Sequence, residues 1–178
     1  MRTIAQKAGM TTGAIYRYFP DKNALFAALV GPTADEIKHH FEKLAHFQMR
    51  MLELHNKIEE FAESSDSLLQ VVDFIFNRFE VFNLLINRSA GSAWENYVDS
   101  LIELDLTSTQ AYLEKMVQMK LLAQSPPPRH LAILVKQSYE QVLEIVASQM
   151  SREEALEYMQ LLIPFLYAGW STVLGKNT

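Results

Sequence analysis

Apolar residues recur every three to four positions along almost the whole chain, which is the spacing of one face of an α-helix. Only 6 Gly and 6 Pro interrupt the 178 residues, and no alternating apolar and polar run is long enough for a strand. We therefore predict an all-α protein. The expected helices cover residues 2–8 and 12–19, a third segment that begins after residue 21, and residues 49–63, 67–87, 93–122, 127–149 and 151–174.

Several residues mark where these helices begin and end. Thr11 and Asp21 precede the second and third helices, and each can accept a hydrogen bond from a free N–H group of the first turn. Ser151 and Glu154 form a capping-box pattern that defines the start of the last helix. Pro32 cannot donate to the helical ladder, so we expect the third helix to bend or break there.

Charge is distributed unevenly along the sequence. Residues 1–30 hold four of the 16 basic residues and one of the 21 acidic ones, so the remainder holds 12 and 20. A basic head on an acidic body is compatible with an anionic partner at the head. The absence of cysteine excludes disulfides and thiolate metal sites. The longest apolar stretch, residues 68–86, is interrupted by charged residues and cannot span a membrane, so we expect a cytoplasmic protein.

Residues 2–19 have the pattern of two short helices joined by a tight turn at Gly9. This pattern is typical of a helix-turn-helix, whose second helix lies in the DNA major groove. Within the second helix, Ile15 and Phe19 should face inward, whereas Tyr16 and Arg17 should face outward, toward phosphates or base edges. The alternative interpretation is simple packing at the edge of a core, because short helical turns of this kind produce many false matches.

The segment IAQKAGMTTGAIYRYFPDKNALF, residues 4–26, resembles the DNA-binding signature of the TetR family of bacterial transcriptional regulators. The resemblance implies a TetR-like fold, with a helix-turn-helix head and connecting helix over residues 1–47 and a helical effector-binding and dimerisation domain over residues 48–178. It also implies that ten positions meet a double-stranded, pseudo-palindromic DNA operator: Arg2, Thr3, Thr11, Thr12, Gly13, Ala14, Tyr16, Arg17, Tyr18 and Lys22.

Members of the family begin with a further helix that packs across this head, whereas here Met1 stands at the start of the bracing helix. We therefore expect Ile4, Ala8 and Ile15 to be exposed to water, at a cost of about 25 cal/mol for each Å² of apolar surface left uncovered. The sequence is then either truncated, assigned a wrong start, or that of a member that has lost this helix. A genuine start at Met1 would favour an alternative function, namely a dimeric helical ligand-binding or scaffold protein that no longer binds DNA.

The acidic body is rich in large apolar residues, and ordinary core packing explains such stripes more often than a binding pocket does. The resemblance nevertheless implies a pocket for a small apolar or amphipathic effector, with these candidates for its lining: Phe74, Asn77, Phe82, Trp94, Tyr97, Tyr112 and Met116. It also implies a homodimer through the last two helices, with these candidates for the interface: Leu131, Val135, Val142, Ile145, Leu162, Leu166, Gly169 and Trp170.

Metal binding and catalysis find little support in the sequence. His39, His40 and His46 lie near Glu36 and Glu42, but no third ligand clearly shares their helical face, so we favour a solvated surface. No phosphate-binding glycine loop, nucleophile elbow or His-Glu-x-x-His motif is present. We predict no enzyme, no cofactor and no metal. The leading hypothesis is a ligand-responsive repressor that an effector releases from its operator.

Overall fold

The computed structural model describes residues 1–55 and 65–175. Over these two ranges the chain forms eight α-helices and no strand, which confirms the predicted all-α class. The helices are α1 Arg2–Lys7, α2 Thr12–Tyr18, α3 Lys22–His55, α4 Ser65–Phe76, α5 Phe79–Asn87, α6 Tyr97–Gln118, α7 Pro128–Ala147 and α8 Arg152–Val173. No helix of the described ranges has both the length and the apolar character needed to cross a membrane.

The third helix, α3, is a single helix of 34 residues with Pro32 inside it. The helix therefore does not break at Pro32, which contradicts one of the two expected outcomes. Val30, Ala34 and Ile37 lie on either side of this residue and are 0%, 2% and 3% exposed. Their packing against the body, where α3 lies on α5 and α6, offsets the cost of a proline in a helix interior, which is about 3 kcal/mol.

The single helix predicted over residues 67–87 is instead two helices, α4 and α5, because the chain leaves the helical conformation at Arg78, where φ is −133° and ψ is 22°. The Arg78 Nε donates to Glu36 Oε2 of α3 at 3.1 Å, and its guanidinium carbon lies 4.5 Å from the centre of the Phe74 ring. The change of direction allows α4 to pack on α8 while α5 packs on α3 and α7.

The remaining helix boundaries agree with the sequence to within a few residues. Ser151 caps α8 as predicted: its side chain accepts from the Glu154 N–H at 3.2 Å, and its own N–H donates to the Glu154 carboxylate at 2.7 Å. The first part of the helix predicted over residues 49–63 is the end of α3. The rest of that prediction, residues 56–63, lies outside the described residues.

Three apolar clusters hold the body together. One joins α4, α5, α7 and α8 around the fully buried Ile145. A second lies between α6 and α7 around Met116. The third packs Phe26 of α3 against Leu85 of α5. The body therefore begins to pack on α3 at Phe26, and the division of the chain after residue 47 stays a prediction.

Candidate nucleic-acid interface

The turn between α1 and α2 is defined by one glycine and one side-chain cap. Gly9 has a φ of +65°, the left-handed conformation that commonly ends helices. The next residue, Met10, donates its N–H to the Ala5 carbonyl at 2.9 Å. Thr11 then precedes α2, and its Oγ1 accepts from the Ala14 N–H at 3.2 Å. The predicted N-cap of the second helix is confirmed.

The two short helices bury one residue each against the other. Ala5 of α1 is 1% exposed and Ile15 of α2 is 5% exposed, and the two helices pack together. The expected exposure of Ile15 is therefore wrong, because α1 covers it. Ile4, at 37%, and Ala8 are exposed as expected. Ile15 thus fixes the rotation of α2 about its axis.

With Ile15 buried, the opposite side of α2 carries side chains that can reach a nucleic acid. Tyr16 and Tyr18 are 49% and 69% exposed, and Arg17 between them is exposed as well. Phenol hydroxyls and a guanidinium are suited to phosphate oxygens, and the guanidinium also to the edge of guanine. The predicted outward direction of Tyr16 and Arg17 is confirmed.

The predicted DNA-contacting positions are nearly all accessible. Eight of the ten are exposed, and Thr12 and Ala14 are half-buried. Lys22 is exposed at the first residue of α3, where the predicted cap is confirmed, because the Ala24 N–H donates to Asp21 Oδ1 at 2.8 Å. Whether these positions touch DNA stays a prediction.

Gly13 leaves the first turn of α2 flat. A Cβ atom built at this position would meet nothing within 4 Å, so no contact inside the protein requires glycine there. The residue is exposed beside the capping Thr11. A helix surface without a side chain is one that can approach a DNA groove closely.

A short helix, a tight turn and a second helix with an exposed aromatic and basic face form the arrangement of a helix-turn-helix DNA-binding protein. The model of the family described as bacterial regulatory proteins, tetR family, matches residues 1–29 of the chain. This match supports membership of the chain in the TetR family, and the DNA-binding domain of that family points to a transcriptional regulator. Neither the curated proteins nor the solved structures compared with the chain gave a match.

The predicted effector-lining residues do not share one apolar cluster. Phe74 and Phe82 belong to the cluster around Ile145, Trp94 and Tyr97 to that of Phe26, Tyr112 and Met116 to that of α6 and α7, and Asn77 is exposed between α4 and α5. Two of them have evident structural roles. Met116 is 0% exposed, and the Tyr97 hydroxyl donates to the Ala34 carbonyl of α3 at 2.8 Å.

A small polar cavity of about 60 Å³ lies between α3 and α6, lined by Ala45, Gln48, Asp105, Ser108, Thr109 and Tyr112. Burial raises the pKa of the Asp105 carboxyl above its ordinary value, and hydrogen bonds with the Tyr139 and Thr109 side chains oppose that rise. Asp105 is not among the residues predicted from the sequence. It could have been found, because it lies at helical spacing from Ile102 and Leu113 on the buried face of α6.

A larger groove of about 260 Å³ lies at the end of α6, beside the proline-rich loop. Its lining includes Gln110, Glu114, residues 124–128 and Leu131. Glu114 is exposed and accepts a hydrogen bond from Gln110 at 3.1 Å. Because no charged group of this groove is buried, it is less suited to select a small molecule than the cavity beside Asp105.

The predicted dimer residues are divided between the core of the chain and its surface. Four are buried in the chain itself, namely Leu131, Val135, Ile145 and Leu162; Val142, Leu166 and Trp170 are half-buried, and Gly169 is exposed. The Trp170 Nε1 donates to Ser138 of α7 at 3.2 Å, which ties α8 to α7. The large apolar side chains that α8 leaves exposed are Leu161, at 74%, and Phe165, at 66%.

The histidine-rich stretch of α3 has no metal-binding geometry. Within residues 1–55 and 65–175, no group of three or more His, Cys, Asp or Glu side chains could hold a metal ion. The Glu36 carboxylate is engaged by Arg78. The His46 Nδ1 lies 2.7 Å from the Glu42 carbonyl oxygen, and the His39 ring is 3.9 Å from the Glu42 carboxylate.

Proposed function

We propose that the chain is a ligand-responsive transcriptional repressor of the cytoplasm, which binds a pseudo-palindromic operator as a homodimer and is released by a small effector. The observation that carries this proposal is the outer face of α2. There Tyr16, Arg17 and Tyr18 are accessible beside the open backbone of Gly13, while Ile15 holds the helix in place. The family match over residues 1–29 supports the same function.

Each exposed group of the head has a chemical role in this proposal. Arg17 donates to phosphate oxygens or to a guanine edge, and the hydroxyls of Tyr16 and Tyr18 donate to phosphates. Lys22 places an ammonium beside the backbone of the operator. In a homodimer two such heads enter successive major grooves about 34–36 Å apart.

Operator binding is tested by selecting bound fragments from genomic DNA and measuring their affinity as a function of salt. We expect a steep loss of affinity with salt, because each phosphate contact adds about 0.9 to the slope of log K against log salt. Lys22→Gln should lower that slope by about 2 in a dimer, one contact from each head. Lys43→Gln is the matched control, because Lys43 is an exposed lysine of the same helix, far from the head.

The result that contradicts DNA binding is a selection that recovers no sequence bound in a salt-dependent way. A dimeric helical ligand-binding or scaffold protein would then be the better description. Equal salt slopes for Lys22→Gln and Lys43→Gln, with operator binding intact, would instead remove Lys22 alone from the proposed contact surface.

The proposed homodimer forms through α7 and α8. Leu161 and Phe165 are one helical turn apart on the exposed face of α8, and Gly169 follows one turn later on that face. Because a Cβ at Gly169 would meet nothing within 4 Å, the open surface there leaves room for a second backbone. Leu131 and Val135 are buried in the apolar cluster that Trp170 of α8 packs against.

Sedimentation velocity tests the dimer. Phe165→Lys should give monomers at concentrations at which the unchanged chain is dimeric, because a lysine ammonium would be buried without a partner. Leu54→Lys is the matched control, since Leu54 is 64% exposed on α3. Dissociation by both variants, or by neither, would contradict an interface centred on α8.

The effector response is proposed to act through α3. This helix begins at the head, with Lys22, and contributes Ala45 and Gln48 to the lining of the polar cavity. A compound that binds α3 and α6 at the cavity with different affinities in two body conformations would shift the population of head positions. The measurement is operator affinity with and without the compound, and a compound that binds the body without changing that affinity would contradict the coupling.

A further inference from the structure

The Asp105 carboxylate is a half-buried charge that lines the small cavity between α3 and α6. Its partial removal from water raises its pKa. The ion pairs of the described residues do not include it: Lys115 of the same helix pairs with Glu53 of α3 at 2.8 Å, and Lys136 of α7 lies 3.8 Å from Asp99. A carboxylate that is partly removed from water is stabilised in its charged form by a cationic partner.

The neighbours of Asp105 satisfy only part of its capacity. The Tyr139 and Thr109 side chains lie close enough to the carboxylate to lower its pKa by hydrogen bonding, whereas a carboxylate has about four acceptor positions. Tyr139 approaches from α7, where its ring also lies 5.7 Å from that of Phe41 of α3. The groups that α3 contributes to the cavity, Ala45 and Gln48, carry no charge. Acceptor capacity therefore remains directed at the cavity.

Other groups of the cavity lining can also accept hydrogen bonds. The Ser108 hydroxyl donates to the carbonyl oxygens of Leu104 and Asp105, at 3.2 Å and 3.0 Å, so its oxygen lone pairs are left to accept. Gln48 adds an amide oxygen to the same lining. A ligand that matches a cavity of this kind is one with several N–H donors and a positive charge.

The volume limits the size of that donor group. A cavity of about 60 Å³ is several times the minimum of about 10–15 Å³ that admits a water molecule. An ammonium group with its first methylene is a head group of this small size. The three donors of an ammonium correspond to the carboxylate, the Ser108 hydroxyl and the Gln48 amide.

We propose that the cavity between α3 and α6 binds the protonated amino group of a small primary alkylamine, with Asp105 as its counter-ion. The inference rests on the proposed function, because it names the chemical class of the effector. It also specifies how the effector is held: the ammonium lies between Gln48 of α3 and Ser108 of α6, and the alkyl chain leaves through the open side of the cavity.

The test measures binding of propylamine to the full chain by calorimetry at pH 7, where alkylamines are protonated. Propanol and propionate of the same chain length are the comparison ligands. We expect saturable binding of propylamine alone. Asp105→Asn should weaken it roughly tenfold or more, the effect of losing a charge-assisted hydrogen bond. Asp99→Asn is the matched control, an exposed acid of the same helix.

A second variant tests the requirement for the cavity volume independently of the Asp105 charge. Ala45→Leu keeps Asp105 and fills the cavity, so it should also abolish propylamine binding. Asp105→Asn should remain folded, because an asparagine amide oxygen can accept from Tyr139 and Thr109 as the carboxylate does. Binding of propanol as tight as that of propylamine, or unchanged propylamine binding in either variant, overturns the proposal.

The same samples distinguish this inference from the proposed function. Operator binding that persists while propylamine fails to bind overturns the amine site and leaves the DNA-binding regulator standing. Propylamine binding lost in Asp105→Asn, in a chain that recovers no operator, supports the amine site and overturns the regulator. Release of the operator by propylamine from the unchanged chain, but not from Asp105→Asn, supports both.

Discussion

Substitution of Gly13 by alanine should separate DNA binding from folding. A Cβ at this position would meet nothing within 4 Å, so the added methyl group creates no clash in the free protein. Alanine also has the higher helix propensity, by up to about 1 kcal/mol in a helix interior. The free energy of unfolding of Gly13→Ala should therefore be unchanged or slightly higher than that of the unchanged chain.

On the operator, the same methyl group would lie between the α2 backbone and the groove. Overfilling a close contact costs about 1–3 kcal/mol, which corresponds to roughly 5- to 160-fold weaker binding for each head. A dimer with two altered heads should lose more operator affinity than this single-head value. Gly13→Ala should thus be at least as stable as the unchanged chain and should bind the operator with clearly lower affinity.

Two measurements check this expectation: urea denaturation for the free energy of unfolding, and fluorescence anisotropy with a labelled operator for affinity. Gln6→Ala is the control, since Gln6 is exposed on α1 and is not among the predicted DNA-contacting positions. Operator affinity of Gly13→Ala equal to that of the control would refute the close approach of α2 to the groove. A large loss of stability would refute the open surface at Gly13.

Three further expectations concern stability, each measured by urea denaturation. Thr11→Ala removes the side-chain acceptor of the Ala14 N–H and should lower the free energy of unfolding by about 1 kcal/mol; no change would mean that water replaces the cap. Leu113→Ala, at a site 2% exposed, should lower the free energy of unfolding by about 2–5 kcal/mol. A loss below that range would mean that neighbouring side chains fill the space left by the leucine. Burial raises the pKa of Asp105 from an ordinary 3.8 in the folded chain, so protons bind the folded state first as the pH falls. The contribution of Asp105 to stability should rise as the pH falls through the folded pKa toward 3.8. Asp105→Asn should lack this rise, so its stability relative to the unchanged chain should be highest above that pH window. Parallel pH profiles of the free energy of unfolding for the two proteins would contradict this expectation.

Features of the head could be predicted from the sequence because their causes lie within a few residues. Gly9 ends α1, and Thr11 and Asp21 accept from N–H groups three residues further along. The break at Arg78 has a different origin: its partner Glu36 is 42 residues away. Because a contact at this distance leaves no trace in the local sequence pattern, the apolar run on both sides of Arg78 predicts a single helix.

The body illustrates a second limit of sequence patterns. An apolar stripe at helical spacing predicts that a face is buried, but it does not tell which buried residues meet a partner, a ligand or the core. Spacing alone therefore fits Leu131 and Ile145 to a dimer interface as well as to a core, and the structure buries them within the chain. Helical spacing places Asp105 on the inner side of α6, but its neighbour Tyr139 is on another helix, so the spacing alone does not reveal the polar cavity.

The uninterrupted course of α3 has a mechanical consequence. Lys22 and Ala45 belong to this one helix, and the 23 residues that separate them span about 35 Å at about 1.5 Å per residue. A tilt of only about 5° at the cavity end would displace the head end by about 3 Å along such a rod. In a two-fold dimer the rotation axis would repeat the displacement in the partner, so the separation of the two heads would change by up to about twice that distance. In the proposed dimer the helix would thus act as a lever arm, by which a small shift at the cavity takes two reading heads out of step with the turns of DNA.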